Sequence, residues 1–321
     1  MMQRIVECVP NFSEGRDLAK IERIVAPFKN SETFKMISYE PDADYNRTVV
    51  TLIGEVDAIM TALIPFVKIC LDEIDMNHQS GEHPRIGAVD VIPFIPIQNV
   101  TIDDCITYAK EMGERISSLF DIPVFLYAKA ASCEARISLP NIRKGEYEGM
   151  KDKITSEEWH PDYGKPMTHP TFGSVAIGAR DFLVAFNIDL DTDQEKIAAS
   201  LARTIRQSSG GFQHIQAGPA FLEKHHHMQV TMNILDYAKN PIYRIFEVIQ
   251  FEAKRFHVLV KSSEIIGLVP KQALLDSVKY YLQVNDIPFD KNMNLETLTH
   301  FANQYLQLRD FDQSKIIEAW I

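Results

Sequence analysis

The order in which strands and helices are predicted repeats once along this 321-residue chain. "RIVECV" predicts a strand, and "EGRDLAKIERIVAPF" predicts a helix because its apolar residues recur at helical spacing. "TFKMIS" and "TVVTLIG" predict two more strands, followed by the helical pattern of "VDAIMTALIPFVKICLDEIDM" and the apolar strand "AVDVIPFIP". The resulting order is β-α-β-β-α-β, which few folds accommodate.

The second half predicts the same order, from the strand "DFLVAFNIDL" to the strand "HVLVKSSEIIG", with helices filling the C-terminal end. This order is the split βαβ arrangement of ferredoxin-like domains. We therefore predict an α/β (α+β) fold of two ferredoxin-like βαββαβ subdomains, residues 1–180 and 181–321, with a ligand cleft between them. Sequence identity between the halves is not evident, so the repeat depends on element order alone.

Local signals refine the first half. The polar stretch "YEPDADYNR" predicts a long hairpin loop, and Pro65 is expected to kink the second helix. Thr101 begins a further helix through a capping box in which Asp104 replaces the usual glutamate, and "IPVFLYA" predicts a further strand. These elements complete one α/β domain.

The segment from residue 144 to residue 180 is too long for a plain linker. It is rich in glycine and proline and has little periodicity. Its aromatic residues argue against disorder. Loops of this length inside compact proteins are usually functional or disordered. We therefore expect an ordered loop in the groove between the two domains, where a small-molecule site is most common.

Composition narrows the classes of partner. A formal charge of −11 argues against duplex nucleic acid, because neutralising phosphates requires a basic face. No apolar run reaches the ~18 residues that a membrane span needs. The four cysteines are widely separated, which favours buried thiols over a disulfide framework or a zinc site. We expect a cytoplasmic protein without a cleaved signal.

The stretch "HQSGEHPRIG" contains the strongest candidate for catalysis. His83 precedes a proline, which favours an extended backbone and a ring that projects from a loop. Imidazole has the right intrinsic pKa for general acid or base catalysis, Arg85 can hold a carboxylate, and Asp90 can orient the ring. A well-hydrogen-bonded turn is the alternative. A metal site with His78 is disfavoured, because the spacing is not that of two ligands on one helical face.

Other polar stretches are better explained by local structure. The acids and Asn46 of "PDADYNR" are ordinary turn formers, and the alternative is that the paired acids ligate a cation. "CVPNFSEGRD" offers an anion site at a helix start, yet helix capping explains the same residues. "KHHHMQ" (His225 to His227) is interpreted as a solvated strand end, because consecutive strand residues point to opposite faces. No nucleotide-binding motif is present.

Six motifs together resemble one family. "ECVPNFSEGRD", "DADYNRTVVTLIG", "GEHPRIGAVDVIPFIP", "WHPDYG", "GARDFLVAFNIDL" and "EIIGLVPKQALLD" occur in this order and extend from residue 5 to about residue 276. The chain is similar over that range to the glutamate formiminotransferase family, in its stand-alone form without a cyclodeaminase domain.

The resemblance implies transfer of the formimino group between N-formimino-L-glutamate and tetrahydrofolate, a step of histidine degradation. It implies that His83, the histidine of the G-E-H-P-R motif, is the catalytic acid/base. Tetrahydrofolate is then a co-substrate, no metal is predicted, and a homodimer is expected. The folate-binding segment carried over from the family consists of Gly164, Lys165, Pro166, Met167, Thr168, His169, Pro170, Thr171, Phe172 and Gly173.

Further roles follow if that resemblance holds. Arg85 or Arg47 would bind a glutamate carboxylate, with Arg85 preferred because it lies beside His83 in the sequence, and Asn46 and Asp90 would support the substrate. Phe172 or Tyr163 would stack on the pterin, and Lys165 and Arg180 would belong to a basic track for the folate glutamate. The alternatives are a 5-formyltetrahydrofolate–glutamate formyltransferase and a non-catalytic folate-binding protein.

Overall fold

A computed structural model describes residues 3–223 and 225–321. The chain divides into two compact units, of which the first ends at Asp181 and the second is Phe182–Ile321. Both units combine a sheet with helices, so the predicted mixed α/β class is confirmed.

The first unit is built on one mixed sheet. Its strands are β1 (Ile5–Cys8), β2 (Asn11–Phe12), β3 (Phe34–Asp42), β4 (Arg47–Glu55), β5 (Val89–Gln98), β6 (Val124–Ala128) and β7 (Val175–Ala179). Its helices are α1 (Leu18–Val25), α2 (Val56–Glu73), α3 (Ile102–Phe120), α4 (Leu139–Arg143) and α5 (Glu146–Lys153). The order across the sheet is β3-β4-β1/β2-β5-β7-β6, because β1 and β2 both pair with β4 and with β5. β5, β7 and β6 are parallel, and the other neighbours are antiparallel.

The two faces of this sheet are covered differently. Val6 and Cys8 of β1 join the apolar core beneath α1, α2 and α3. Because side chains alternate along a strand, Glu7 points to the opposite face. At the β5-β7-β6 end of that opposite face, α4 and α5 pack through Ile142 and Met150 against the sheet. The packing of these short helices brings charged residues from distant parts of the sequence toward the loop before β5.

Helix signals in the sequence correspond to observed caps and stripes. Thr101 caps α3, and the side chain of Asp104 accepts the Thr101 backbone N–H in return, so the predicted capping box is confirmed. In α2 the buried residues include Ile59, Leu63 and Phe66, and the helix runs through Pro65. The helix therefore follows its apolar stripe, as the hydrophobic pattern predicts.

Two predictions about irregular segments were wrong. β3 extends to Asp42 and β4 starts at Arg47, so most of the predicted long hairpin loop is strand and only four residues turn. The segment 144–180 contains α5 and β7, and β7 lies inside the first sheet between β5 and β6. Its glycines and prolines hid these elements, because they interrupt the apolar periodicity on which such predictions depend.

The second unit has a four-stranded antiparallel sheet. Its elements are β8 (Val184–Leu190), α6 (Glu195–Ile205), β9 (Ile215–Leu222), β10 (His227–Ile234), α7 (Ile242–Ala253), β11 (Val260–Ile266), α8 (Lys271–Val284) and α9 (Leu295–Leu306). The strand order β11-β8-β10-β9 matches the relative order of β5, β1, β4 and β3 in the first unit. The two halves therefore share an arrangement as well as an element order.

Over the two described ranges, no helix combines the length and the apolar character needed to cross a bilayer.

Candidate active site

The loop that carries His83 joins α2 to β5 and is fastened at its C-terminal end by backbone hydrogen bonds. The N–H of Ala88 donates to the carbonyl of Phe172 at 2.8 Å, and the N–H of Ser174 donates to the carbonyl of Ile86 at 3.0 Å. A Cβ on Gly87 would lie 2.0 Å from the carbonyl oxygen of Ser174. Only glycine permits this close approach, so Gly87 allows the loop to lie directly against the 172–174 segment.

The turn between β3 and β4 meets the same loop through Asn46. Its Oδ1 accepts the N–H of Gly15 at 2.9 Å, and its Nδ2 donates to the carbonyl of Ser80 at 2.8 Å. Asn46 has φ of 47°, which asparagine tolerates better than most residues. Both ends of its amide thus join three loops, as expected of a turn former, and the proposed support of a substrate by Asn46 stays a prediction.

His83 contacts the first residue of β4. Nη1 of Arg47 lies 2.6 Å from Nε2 of His83, and Nδ1 of His83 is buried without a hydrogen-bond partner in the described ranges. Burial lowers the pKa of His83 to about 3, reinforced by the charges of Arg47, Arg143 and Arg85 and weakly opposed by the backbone of Pro84. The ring is therefore neutral over the physiological pH range.

A ring from the β3–β4 turn lies beside this pair. The centroid of the Tyr45 ring is 5.8 Å from that of His83, and the guanidinium carbon of Arg47 is also 5.8 Å from the Tyr45 centroid. Tyr45 is 43% exposed. It is the exposed aromatic ring next to the candidate base.

Arg85 is committed to protein partners. Its Nη1 donates to Glu146 at 2.7 Å and to Glu148 at 2.9 Å, its Nη2 donates to Glu148 at 2.8 Å and to the carbonyl of Gln79 at 3.2 Å, and its Nε donates to the Gln79 side chain at 2.8 Å. A guanidinium has five N–H donors, and all five are used. This geometry corrects the prediction that Arg85 is the better carboxylate ligand. Arg85 instead ties the His83 loop to the first turn of α5.

Asp90 does not orient His83. One of its oxygens accepts the N–H of Ile86 at 3.0 Å, and the other pairs with Arg143, whose Nε lies 3.0 Å away. The sequence placed Asp90 seven residues from His83, but β5 begins between them and carries Asp90 toward α4. That interpretation of Asp90 is therefore wrong, and its role is to hold Arg143 near the histidine.

The segment Gly164–Gly173 has two parts. In residues 164–168, Lys165 pairs with Asp121 at the end of α3 and Met167 is exposed. In residues 169–173, His169 and Gly173 exchange backbone hydrogen bonds at 3.0 and 3.1 Å, and Nδ1 of His169 accepts the N–H of Phe172 at 3.2 Å. The second part forms a tight turn against the His83 loop, whereas the first part remains open.

The two predicted aromatic platforms differ in their exposure. Phe172 is 0% exposed and belongs to the helix-covered core, so its ring cannot stack on a ligand. The Tyr163 ring packs on α3, where a Cβ on Gly113 would lie 2.9 Å from its Cδ2. Burial rules out Phe172 as a platform, which sequence position alone did not reveal, whereas Tyr163 is partly exposed and stays a prediction. Arg180 was also predicted for a basic track. Its positive charge lowers the pKa of the buried Glu7, against the larger effect of burial.

Two other candidate sites have local explanations. Oε1 of Glu14 accepts the backbone N–H groups of Arg16 and Asp17, and Asp17 caps α1, so capping accounts for this junction. In the second unit, His227 is 8% exposed and its Nε2 lies 3.7 Å from Oδ1 of Asp189. The prediction of a solvated strand end is therefore wrong for His227, although His225 is exposed.

Sequence reasoning missed the acids and bases that α4 and α5 supply. Arg143, Glu146 and Glu148 lie some sixty residues after His83 in the sequence, in a segment without clear helical periodicity. No spacing rule relates them to the "GEHPR" motif. Within residues 3–223 and 225–321, no three His, Cys, Asp or Glu residues form a group able to hold a metal ion.

Comparison with known proteins assigns the family. The N-terminal subdomain of the formiminotransferase domain matches residues 5–180, and the formiminotransferase domain model matches residues 185–319. Glutamate formimidoyltransferase of Streptococcus pyogenes serotype M1 is 46% identical over 91% of this chain and 98% of that protein, and that of Thermoplasma acidophilum is 42% identical over 91% and 96%. Formimidoyltransferase-cyclodeaminase of Gallus gallus is 36% identical over 88% of this chain, which spans 53% of that longer protein. The chain, a transferase, therefore belongs to the formiminotransferase family.

Proposed function

We propose that this protein transfers the formimino group between N-formimino-L-glutamate and tetrahydrofolate in histidine degradation, with His83 as the general acid/base. One observation carries the proposal: a neutral, partly buried imidazole lies among three guanidinium groups in the unit that matches the N-terminal formiminotransferase subdomain. Relatives named glutamate formimidoyltransferase support the choice of glutamate.

The chemistry needs a group that takes and returns one proton. The attacking amine forms a bond to the formimino carbon, which becomes tetrahedral, and the bond from that carbon to the departing nitrogen then breaks. The attacking nitrogen loses a proton, and the departing nitrogen gains one. A neutral imidazole can accept the first and its conjugate acid can supply the second, so no other proton donor is required.

Carboxylate recognition is assigned to Arg47. Its guanidinium makes no ion pair in the described part of the chain, and Asp42 and Asp90 act on it only through longer-range attraction. Its Nε is buried without a partner. Guanidinium groups bind carboxylates through paired N–H donors, and Arg47 has such donors free whereas Arg85 has none. A glutamyl carboxylate on Arg47 would lie next to the His83 ring.

The folate is proposed to contact the open part of the Gly164–Gly173 segment, residues 164–168. The anchored part, residues 169–173, supports the His83 loop from behind through its hydrogen bonds to Met76 and Ala88. Tyr45 replaces Phe172 as the candidate platform for the pterin, because its ring is exposed and close to the base. A cytoplasmic location and a homodimer remain proposals from the family resemblance.

The first test compares two histidines of one loop. Replacement of His83 by alanine is expected to lower formimino transfer from formiminoglutamate to tetrahydrofolate by about 100-fold or more, since a general acid/base is lost. The matched control is His78→Ala, because the side chain of His78 is 84% exposed and lies on the same loop. Near-normal turnover in the His83 variant would reject the assignment.

The same assay separates the alternatives. Purified protein should be supplied side by side with the formimino donor and with 5-formyltetrahydrofolate plus glutamate. Faster transfer from the formyl donor would indicate a formyltransferase. Folate binding by calorimetry without turnover of either donor would indicate a binding protein.

A further inference from the structure

We propose that Arg47 blocks the proton-accepting nitrogen of His83 and that the carboxylate of the glutamyl substrate draws Arg47 away. We call this blocking contact between Arg47 and His83 the catch. The inference rests on the proposed function, because it requires a substrate that carries a carboxylate. It adds an order to the reaction: the acid/base becomes available only after the glutamyl substrate has engaged Arg47.

The direction of the hydrogen bond follows from the chemistry of the two groups. A guanidinium has only N–H donors, so at 2.6 Å from Nη1 of Arg47 the Nε2 of His83 must be the acceptor. An imidazolium, which donates from both nitrogens, would place two N–H groups face to face. His83 is therefore neutral in this geometry, with its proton on Nδ1.

This tautomer leaves His83 without a usable lone pair. The lone pair of Nε2 is occupied by Arg47, and Nδ1, which carries the proton in this tautomer, has no lone pair to offer. A general base must accept a proton on a free nitrogen lone pair. In this arrangement His83 cannot accept a proton, and catalysis requires Nη1 of Arg47 to move away from Nε2.

Arg47 is the arginine around His83 that a substrate can recruit. Arg143 is paired with Asp90, and Arg85 spends its five donors on Gln79 and two glutamates. Within residues 3–223 and 225–321, Arg47 has no carboxylate partner, and a neutral imidazole is its side-chain hydrogen-bond acceptor. A carboxylate is a much stronger acceptor for a guanidinium than a neutral ring is, so an incoming carboxylate wins the competition.

The arrangement has a consequence for specificity. An amidine that lacks a carboxylate cannot displace Arg47 from Nε2 and meets a covered base. The catch thereby couples recognition of the glutamyl group to the chemical competence of His83.

The test observes the imidazole directly by ¹⁵N NMR of protein labelled in histidine. In the free protein, the His83 signals should show a proton on Nδ1 and a hydrogen-bonded acceptor at Nε2. Saturating L-glutamate, added without folate, should shift the Nε2 signal away from the hydrogen-bonded position. Glutarate should have the same effect, whereas glutaramide, which matches its shape without the charge, should not.

Two variants test whether the shift of the His83 Nε2 signal depends on Arg47. In Arg47→Gln, Nε2 should already be at the released position, glutamate should cause no further shift, and KM for formiminoglutamate should rise about 10- to 100-fold, the value of a charged hydrogen bond. Arg203→Gln, an exposed arginine of α6, is the control and should retain the wild-type response. The wild-type titration alone tests the proposal if Arg47→Gln does not fold.

Two results would overturn the inference. The first is calorimetry that shows glutamate bound while the Nε2 signal of wild-type His83 stays unchanged, and the second is an Arg47→Gln variant that keeps the wild-type shift. If wild-type protein turns over formiminoglutamate and either result is obtained, only the catch is rejected. If it neither binds glutamate nor turns over the substrate, the proposed function is rejected as well.

Discussion

At the scale of single residues, His83 and Glu7 of the first unit both have surroundings that disfavour the charged form. Burial is the main cause for both His83, with its pKa lowered to about 3, and Glu7, with its pKa raised to about 7. His83 has a role in the proposed reaction. Glu7 is 4% exposed in the middle of β1. The free-energy cost of burying its charged carboxylate should appear as a dependence of stability on pH.

Glu7 is expected to reduce stability progressively above its unfolded pKa of about 4.3. Between that pH and about 7 the unfolded chain loses a proton that the folded protein keeps, so the free energy of unfolding falls as pH rises. Glu7→Gln removes the charge. At pH 8 it should be more stable than wild type by about 1 to 3 kcal/mol, and the difference should shrink toward zero near pH 4.5.

Urea unfolding at the two pH values measures this difference. Glu32→Gln makes the same change at an exposed glutamate and serves as the control. An equal effect of Glu7→Gln at both pH values would show that burial of the charge is not its cause.

At the scale of elements, the His83 loop depends on close backbone contacts with the turn 169–173. Gly87 and Gly173 form a β-bridge, and Gly173 has φ of 85°. A Cβ on Gly173 would lie 2.4 Å from the carbonyl oxygen of Ile86. The segment ahead of β7 is thus part of the support for the candidate base.

Gly173→Ala should therefore both destabilise the protein and disturb the site. The left-handed backbone and the contact with Ile86 together predict a loss of about 1 to 3 kcal/mol, with a lower kcat as the His83 loop shifts. Thermal unfolding and steady-state kinetics measure the two effects. Gly218→Ala is the matched control, because open space surrounds that position in β9 and the change should stay within about 1 kcal/mol. Equal behaviour of the two variants would contradict the explanation.

At the scale of the whole molecule, each unit has an apolar core of its own. The core of the first unit contains Phe12 and Phe94 from the sheet and Phe66 from α2, and that of the second contains Phe186 from β8 and Phe246 from α7. Phe186 and Phe246 are 6.1 Å apart in an edge-to-face arrangement. Separate cores mean that damage to one should be felt first within its own unit.

Phe246→Ala is expected to remove about 3 to 5 kcal/mol from the stability of the second unit, because a fully buried ring is replaced by a cavity. Hydrogen exchange followed by mass spectrometry should show loss of protection in β8, β10 and α7 before any loss in β1, β4 and α2. Simultaneous loss in both units would show that they unfold as one cooperative body.

The sequence by itself determined most of the secondary structure and the identity of the candidate base. Strand alternation, helical stripes and the Thr101 capping box are relations between residues close in the sequence. They can therefore be recognised without knowledge of the tertiary structure. The "GEHPR" motif likewise placed His83 in a loop between α2 and β5. The sequence does not predict β7, because a five-residue apolar run among glycines and prolines has no distinctive period.

Only the tertiary structure decided which groups meet at the site. Arg85 is two residues from His83 in sequence but turns toward α5, whereas Arg47 comes from β4 and lies against Nε2. Phe172 was expected to face a ligand and is buried in the core. Such choices depend on strand register and on the packing of α4 and α5, which are set by contacts between residues far apart in the chain. Local sequence patterns carry no information on those contacts. The contacts between distant residues determine which arginine can act on the histidine.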